Sequence, residues 1–433
     1  MKYFIDKQGE FWFENDEENK FCGRITEETN TFLLKTDMTK NFNIPQEHFN
    51  IIGKIGNQDL TLYKCSLTND PYKKTFLVRY IIENYNNDSN LNFNNINIQF
   101  HNLEQWIEKD SFNVDFDNNT PIINPTKDEI SFSYRKGDVN FIIDYSTSIK
   151  SNSITIKNNY YIQLEYELPT PFDQILRNIR SLRNFLTLAM YNPTNFRTIS
   201  CNIRSPHKHN KINIYYKLLD FTPTEFRRYK SLLYFSAIES KSNIFERWFN
   251  IYDKYKPLFD IYFTNFSGDI TIEYQFLSYT QALEAYMRKN ESFKDNFMES
   301  EKYEIVKNEL NEYVKNSIMD SGQKDSWENK IKYGNEVSLR RRLKDLIRYL
   351  SDFNITQKII NDNRDEFIDN VVGLRNYYTH YSKDDNPDIY NVIDLSFNLK
   401  LLIELCILNE LNFDKEFIDY TLNRIYERKP LSL

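Results

Sequence analysis

Glycine is scarce in this chain, nine residues in 433, and proline is little commoner at twelve. So few of either argue against a glycine-rich phosphate loop and against a long flexible linker. The four cysteines, Cys22, Cys65, Cys201 and Cys406, stand far apart and form no Cys-x-x-Cys pair. They read as buried or incidental thiols in a reducing compartment. No apolar run approaches the ~20 residues that cross a bilayer, so no membrane partner is expected. The opening Met1-Lys2-Tyr3-Phe4-Ile5-Asp6 turns acidic at once, which excludes a secretory signal and leads to the expectation of a cytoplasmic protein.

Positive charge is in the minority too. Lys and Arg number 55 against 62 Asp and Glu, a formal net charge of −7. General electrostatic affinity for nucleic acid is thereby excluded, because it rests on many cationic contacts to phosphate. Any polynucleotide must meet a local basic site. Arg340, Arg341 and Arg342, with Lys344 and Arg348, crowd one helix and are the candidates; the plainer reading is a solvated helix face. Missing as well are a Gly-x-Ser-x-Gly elbow, a Walker loop and a dinucleotide fingerprint. His207-Lys208-His209 lacks the further ligands of a metal site and reads as a loop, and the carboxylates are too scattered for two-metal chemistry. No metal and no cofactor are expected.

What is present is a folded chain long enough for two or three domains, with 40% hydrophobic and 16% aromatic residues. Its many Asn, Lys, Tyr, Phe and Ile match the codon usage of an AT-rich genome. Up to about residue 170 the apolar residues alternate in short runs. Examples are Thr31–Lys35, Leu60–Lys64, Phe76–Tyr80, Ser131–Tyr134 and Tyr160–Tyr166. Period two, with Asn, Asp and Gly between the runs, predicts antiparallel strands in a sandwich or a curved sheet. From Phe172 to Met190 the spacing becomes helical, with Ile175, Ile179, Leu182, Phe185 and Leu186 on one face. Thr198–Ile203 and Lys211–Leu218 return to strand.

After Thr222-Pro223-Thr224-Glu225, a helix-start pattern, only helical periodicity remains. Helices are expected over about 224–260, 270–290, 299–318, 336–351, 357–379, 388–411 and 414–428. The chain therefore reads as α+β: a β-rich domain over 1–220 and an all-α bundle over 221–433.

One stretch of the bundle carries chemistry. Gly373-Leu374-Arg375-Asn376-Tyr377-Tyr378-Thr379-His380-Tyr381 places Arg375 at the edge of an apolar stripe of Phe367, Val371, Leu374 and Tyr378. Arg375 supplies a permanent cation that suits phosphate, and the imidazole of a histidine moves protons both ways near neutrality. Phosphodiester cleavage is the chemistry this pairing points to. The structural alternatives are a pairing of Arg375 with Asp369 or Asp384 and a helix-end role for His380. Tyr377, Tyr378 and Tyr381 suit stacking on bases, although packing is the commoner fate of a tyrosine in a chain with 31 of them. On a helix, positions five apart point ~140° apart, whereas Asn376 and His380, four apart, share a side. Arg375 and His380 of one chain therefore converge only if the helix ends between them, and otherwise a partner chain must supply the missing group.

This ordering resembles the HEPN superfamily, whose ribonucleases carry Arg-x(4 to 6)-His with a polar residue after the Arg. The whole chain is similar to ApeA-type bacterial anti-phage proteins, on Phe21-Cys22-Gly23, Ile51-Ile52-Gly53-Lys54, Leu60–Cys65, Leu103-Glu104-Gln105-Trp106, Phe276–Glu284 and Arg342–Leu346. The resemblance implies a β-rich sensor or regulatory domain before a HEPN ribonuclease domain, and a homodimer whose cleft gathers Arg and His from both protomers. It further implies an abortive-infection nuclease with RNA, including tRNA, as substrate and a phage-derived trigger. Arg375, Asn376 and His380 are then the catalytic set, and Tyr377, Tyr381, Arg340, Arg341 and Arg342 the RNA-binding one. The competing reading is a non-catalytic nucleotide-binding or dimerisation module that serves as a sensor or scaffold.

Overall fold

The computed structural model describes residues 4–28, 31–37, 48–68, 74–84, 91–117, 120–125, 128–134, 136–205, 208–216, 221, 224–266, 270–380 and 387–428. The chain divides into two compact units, Met1–Glu246 and Arg247–Leu433.

The first unit is built on one antiparallel sheet. Strands β1 (Gln8–Phe13), β2 (Phe21–Glu28), β3 (Thr31–Thr36), β4 (Phe49–Ile55), β5 (Gln58–Leu67) and β6 (Thr75–Glu83) pair in the order β6-β3-β2-β1-β4-β5. Strand β5 pairs with β6 as well, which closes these six into a barrel. Alternate residues fill it: Phe21 and Ile25 of β2 point inward, as do Phe32 and Leu34 of β3, with Phe11, Phe13 and Phe76. Cys22 and Arg24, between the inward positions of β2, are exposed. Lys64 has φ 56° in the middle of β5, and the register with β4 shifts beside it. Such a bulge bends a strand and re-aims a side chain; here Lys64 Nζ reaches Asp173 Oδ1 at 2.7 Å.

Beyond β6 the sheet continues open. Strands β7 (Asn92–Phe100), β10 (Asp128–Tyr134), β11 (Gly137–Lys150), β12 (Ser153–Pro171), β13 (Phe196–Ser205) and β14 (Lys208–Tyr216) run in the order β10-β11-β12-β7-β13-β14-β6. Strands β8 (Phe112–Asp117) and β9 (Thr120–Pro125) form a separate hairpin. Helices α1 (Leu103–Ile107) and α2 (Phe172–Met190) belong to this unit, and all five residues of the expected α2 stripe are buried. Lys208 and His209, read as part of a loop, begin β14, while His207 lies outside the described residues.

Strand β14 ends at Tyr216, and the compact units divide later, between Glu246 and Arg247. Helix α3 (Phe235–Glu239) and the first residues of α4 (Ile244–Lys254) pack within the first unit. Phe235 lies 5.2 Å from both Trp106 and Phe141, and Phe245 lies 4.8 Å from Phe185. The indole Nε1 of Trp106 donates to the Leu233 carbonyl at 2.9 Å. Aromatic burial, not the change of period, sets this division.

Among its described residues the second unit is built of helices, with one isolated β-bridge between Asn296 and Glu336. After α4 come α5 (Lys256–Thr264), α6 (Ile272–Lys289), α7 (Ser300–Lys315), α8 (Ser321–Lys332), α9 (Leu339–Tyr349), α10 (Asn354–Ile359), α11 (Arg364–His380), α12 (Ile389–Glu410) and α13 (Lys415–Tyr426). The single helix expected over 224–260 is broken, and Pro257 in the first turn of α5 shows one cause: proline starts a helix but does not continue one. Likewise the helix expected over 357–379 is two, because Asn361 and Asp362 take left-handed backbone at φ 52° and 55°. Helix α12 is the centre of the bundle. Its Glu404 is fully buried and accepts from Tyr262 Oη at 2.7 Å, with Lys400 Nζ at 3.7 Å.

Candidate active site

Helix α11 carries the motif. Phe367, Ile368, Val371 and Leu374 are buried on one side of it, each contributing about 1.5–3 kcal/mol relative to exposure. Tyr378 extends that side, its ring 6.3 Å from Phe276 of α6, and Tyr377 packs edge-on against Tyr378 at 5.3 Å. Two ion pairs fasten the front half of α11 to α9: Arg340 with Asp369, and Lys344 with Asp365 at 3.4 Å. Arg364 and Lys344 together hold the Asp365 carboxyl below the usual range. In the back half, Thr379 is exposed and Tyr377 half-buried.

Arg375 is half-buried, while Asn376 and His380 are exposed. Arg375 Nη1 donates to Asn376 Oδ1 at 3.2 Å, and Thr379 Oγ1 donates to the Arg375 carbonyl at 2.7 Å. Among the described residues no carboxylate pairs with Arg375. Asp369, one expected structural partner, is taken by Arg340, and Asp384 lies outside the described residues. The helix runs unbroken through His380, so it does not end between Arg375 and His380. Their side chains leave the axis ~140° apart, whereas Asn376 and His380 share a side. One copy of α11 brings Arg375 and Asn376 together and leaves His380 away from the guanidinium.

Residues 6–248 match the family model described as ApeA N-terminal domain 1, more than half of the chain. The chain belongs to the ApeA-type family. Residues 277–417 match the model described as Apea-like HEPN, a span that encloses α11 and the Arg375–His380 motif. An ApeA-type chain thus has its N-terminal match ending at 248, beside the division of the compact units at 246. No curated protein and no solved structure matches it.

The structure corrects one expectation for the basic cluster on α9. Arg342 is 1% exposed and its Nη2 donates to Asp295 Oδ1 at 2.9 Å, so it is part of the bundle interior and is not available to RNA. The side of α9 that Arg342 shares with Leu343 and Leu346 is the buried one. Arg340 and Arg341 are exposed but engaged, Arg340 with Asp369 and Arg341 Nε with Asp345 Oδ2 at 3.0 Å. Tyr381 lies outside the described residues. Among the described residues no group of three His, Cys, Asp or Glu side chains is placed to hold a metal ion, and no helix is long and apolar enough to cross a membrane. Thr379 is a neighbour that sequence reasoning passed over; its spacing of four from Arg375, a hydroxyl on the preceding turn's carbonyl, was the available signal.

Proposed function

We propose that this ApeA-type chain is a metal-independent endoribonuclease of bacterial anti-phage defence, acting in the cytoplasm by abortive infection. Its substrate is RNA, with tRNA a leading target, and a phage-derived trigger releases its activity. The observation that carries the reading is the arrangement of Arg375, whose guanidinium donates to the exposed Asn376 on the helix that ends in the exposed His380.

In the reaction the ribose 2′-hydroxyl attacks the adjacent phosphorus as its proton passes to a base. The bond to the 5′-oxygen breaks as that oxygen takes a proton, leaving a 2′,3′-cyclic phosphate and a 5′-hydroxyl end. His380 serves the proton transfers, the task for which imidazole is suited. Arg375 binds the scissile phosphate and offsets the charge of the pentavalent transition state through charge-assisted hydrogen bonds. Asn376 keeps the guanidinium in place and shares a side with His380. Tyr377 offers a ring to a base. Because Arg375 and His380 diverge on one uninterrupted helix, the reading includes a homodimer in which the Arg of one copy faces the His of the other.

The test is cleavage of bulk RNA and tRNA by purified protein in excess EDTA, with DNA as the control. Activity in EDTA that His380→Ala and Arg375→Ala each abolish supports the assignment. Full activity in both variants overturns it. Binding of nucleotides with no cleavage under any condition supports the non-catalytic sensor or scaffold instead.

A further inference from the structure

The open half of the sheet in the first unit has two unlike faces. On one, Ile96, Ile98, Val139, Phe141, Ile162 and Leu164 are buried. On the other, one residue from each of five successive strands lines up in register: Asn140, Gln163, Asn97, Ser200 and Asn213. Every member is a carboxamide or a hydroxyl. Hydrogen bonds orient three members of the row and two side chains beside it. Gln163 Nε2 donates to Asn97 Oδ1 at 2.9 Å, Thr198 Oγ1 to Gln99 Oε1 at 3.0 Å, and Asn213 Nδ2 to Glu83 Oε2 at 2.9 Å.

Over the Asn97, Ser200 and Asn213 end of this row lies a groove of about 430 Å³, lined also by Gln99, Asp144, Asn159, Tyr161 and Lys211. That volume falls within the range of roughly 300–1,000 Å³ usual for small-molecule sites. The lining decides the ligand class. One carboxylate and one ammonium cancel, so neither a polyanion nor a cation finds a matching field. The polar walls exclude an apolar ligand, whose burial would strip water from amides and give nothing back. Asn97 Oδ1 and Gln99 Oε1 each accept one hydrogen bond and Asn213 Nδ2 donates one, so each carboxamide keeps further donor and acceptor capacity. Groups that both donate and accept match hydroxyl groups, each of which does the same. Tyr161 adds a half-buried ring, a flat apolar surface of the kind that covers the C–H face of a sugar.

We propose that this face of the sheet is a binding site for a neutral oligosaccharide. The site belongs to the first unit alone and is independent of the nuclease reading.

The test uses the intact chain. Saturation-transfer NMR and calorimetry with maltotriose, cellotriose, mannotriose and tri-N-acetylchitotriose are run beside AMP, UMP and a neutral tripeptide. The expected result is binding of at least one trisaccharide, weakened about tenfold or more by Gln99→Glu and by Asn159→Asp. Both substitutions keep shape and fold while replacing a donor by a charge, and circular dichroism checks that each variant melts as the parent does. The absence of binding by every trisaccharide overturns the proposal. So does sugar binding that both variants retain, or a nucleotide or the peptide binding in preference to all four sugars.

Discussion

Arg375 Nη1 donates to the Oδ1 of its sequence neighbour Asn376 at 3.2 Å, a contact that steers the guanidinium with a neutral group. Under the proposed mechanism the three motif residues should separate by magnitude. His380→Ala is expected to lower the rate of RNA cleavage by about 10²–10⁴, and Arg375→Ala by about 10²–10³. Asn376→Ala acts through its neighbour and should cost about tenfold. Because Asn376 and His380 are exposed, these two variants should unfold within about 0.5 kcal/mol of the parent. Initial rates on a fluorescent RNA, with urea titrations of each variant, check both halves of this expectation.

A composite site makes a sharper demand. If Arg375 of one copy works with His380 of the other, mixing Arg375→Ala and His380→Ala chains under exchange should restore activity that neither has alone. In a two-fold dimer half of the randomly formed pairs are mixed, and each mixed pair holds one intact site of two. The expected recovery is about a quarter of the parent rate. A mixture as dead as its components would mean that each chain carries its site by itself.

Arg342 behaves differently from its neighbours in the sequence. It is buried, bonded through Nη2 to Asp295, and its Nε and Nη1 have no hydrogen-bond partner among the described residues. Arg342→Ala should therefore destabilise the chain by about 2–4 kcal/mol, from the lost volume and the lost charged bond. Arg342→Met restores volume and removes the unsatisfied donors, so it should cost less than alanine. Arg341→Ala, which breaks only an exposed pair with Asp345, should fall within about 1 kcal/mol of the parent. Chemical unfolding of the three variants ranks them.

How far the sequence revealed this arrangement depends on which interaction dominates locally. Helix α2 was legible from Phe172 to Met190 because its stripe is long and one side of it is buried. Helix α8 was not, since its apolar residues are too few to make a stripe; Asp320 and Gln323 form a reciprocal capping box that was the readable signal. Barrel closure was invisible because it depends on β5 meeting β6 and β4 at once, a long-range pairing with no local mark. On α9 the three consecutive arginines look alike in sequence, and only the helix phase set by Leu343 and Leu346 sends Arg342 inward. The Arg375-Asn376-x3-His380 spacing was plain in the sequence, but whether the helix ran unbroken beneath it was not.

The barrel offers a last test, at the one place where scarce glycine is concentrated. The ring of Phe11 sits where a side chain of Gly53 on β4 would be and lies close to Gly9 on β1 and Gly23 on β2. A Cβ on Gly23 would meet Phe11 Cδ2 at 3.3 Å, and one on Gly53 would collide with the ring itself. Phe11 faces Gly53 directly across the β1–β4 pairing and is fully buried. Gly53→Ala should then overpack the barrel and cost about 1–3 kcal/mol. Phe11→Leu alone leaves a smaller side chain in the same space and is also destabilising. Combining the two should cost less than the sum of the single effects, because the leucine vacates part of the volume that the new methyl needs. A double-mutant cycle by thermal unfolding measures that coupling, and strictly additive losses would mean that the ring does not occupy the glycine-lined space.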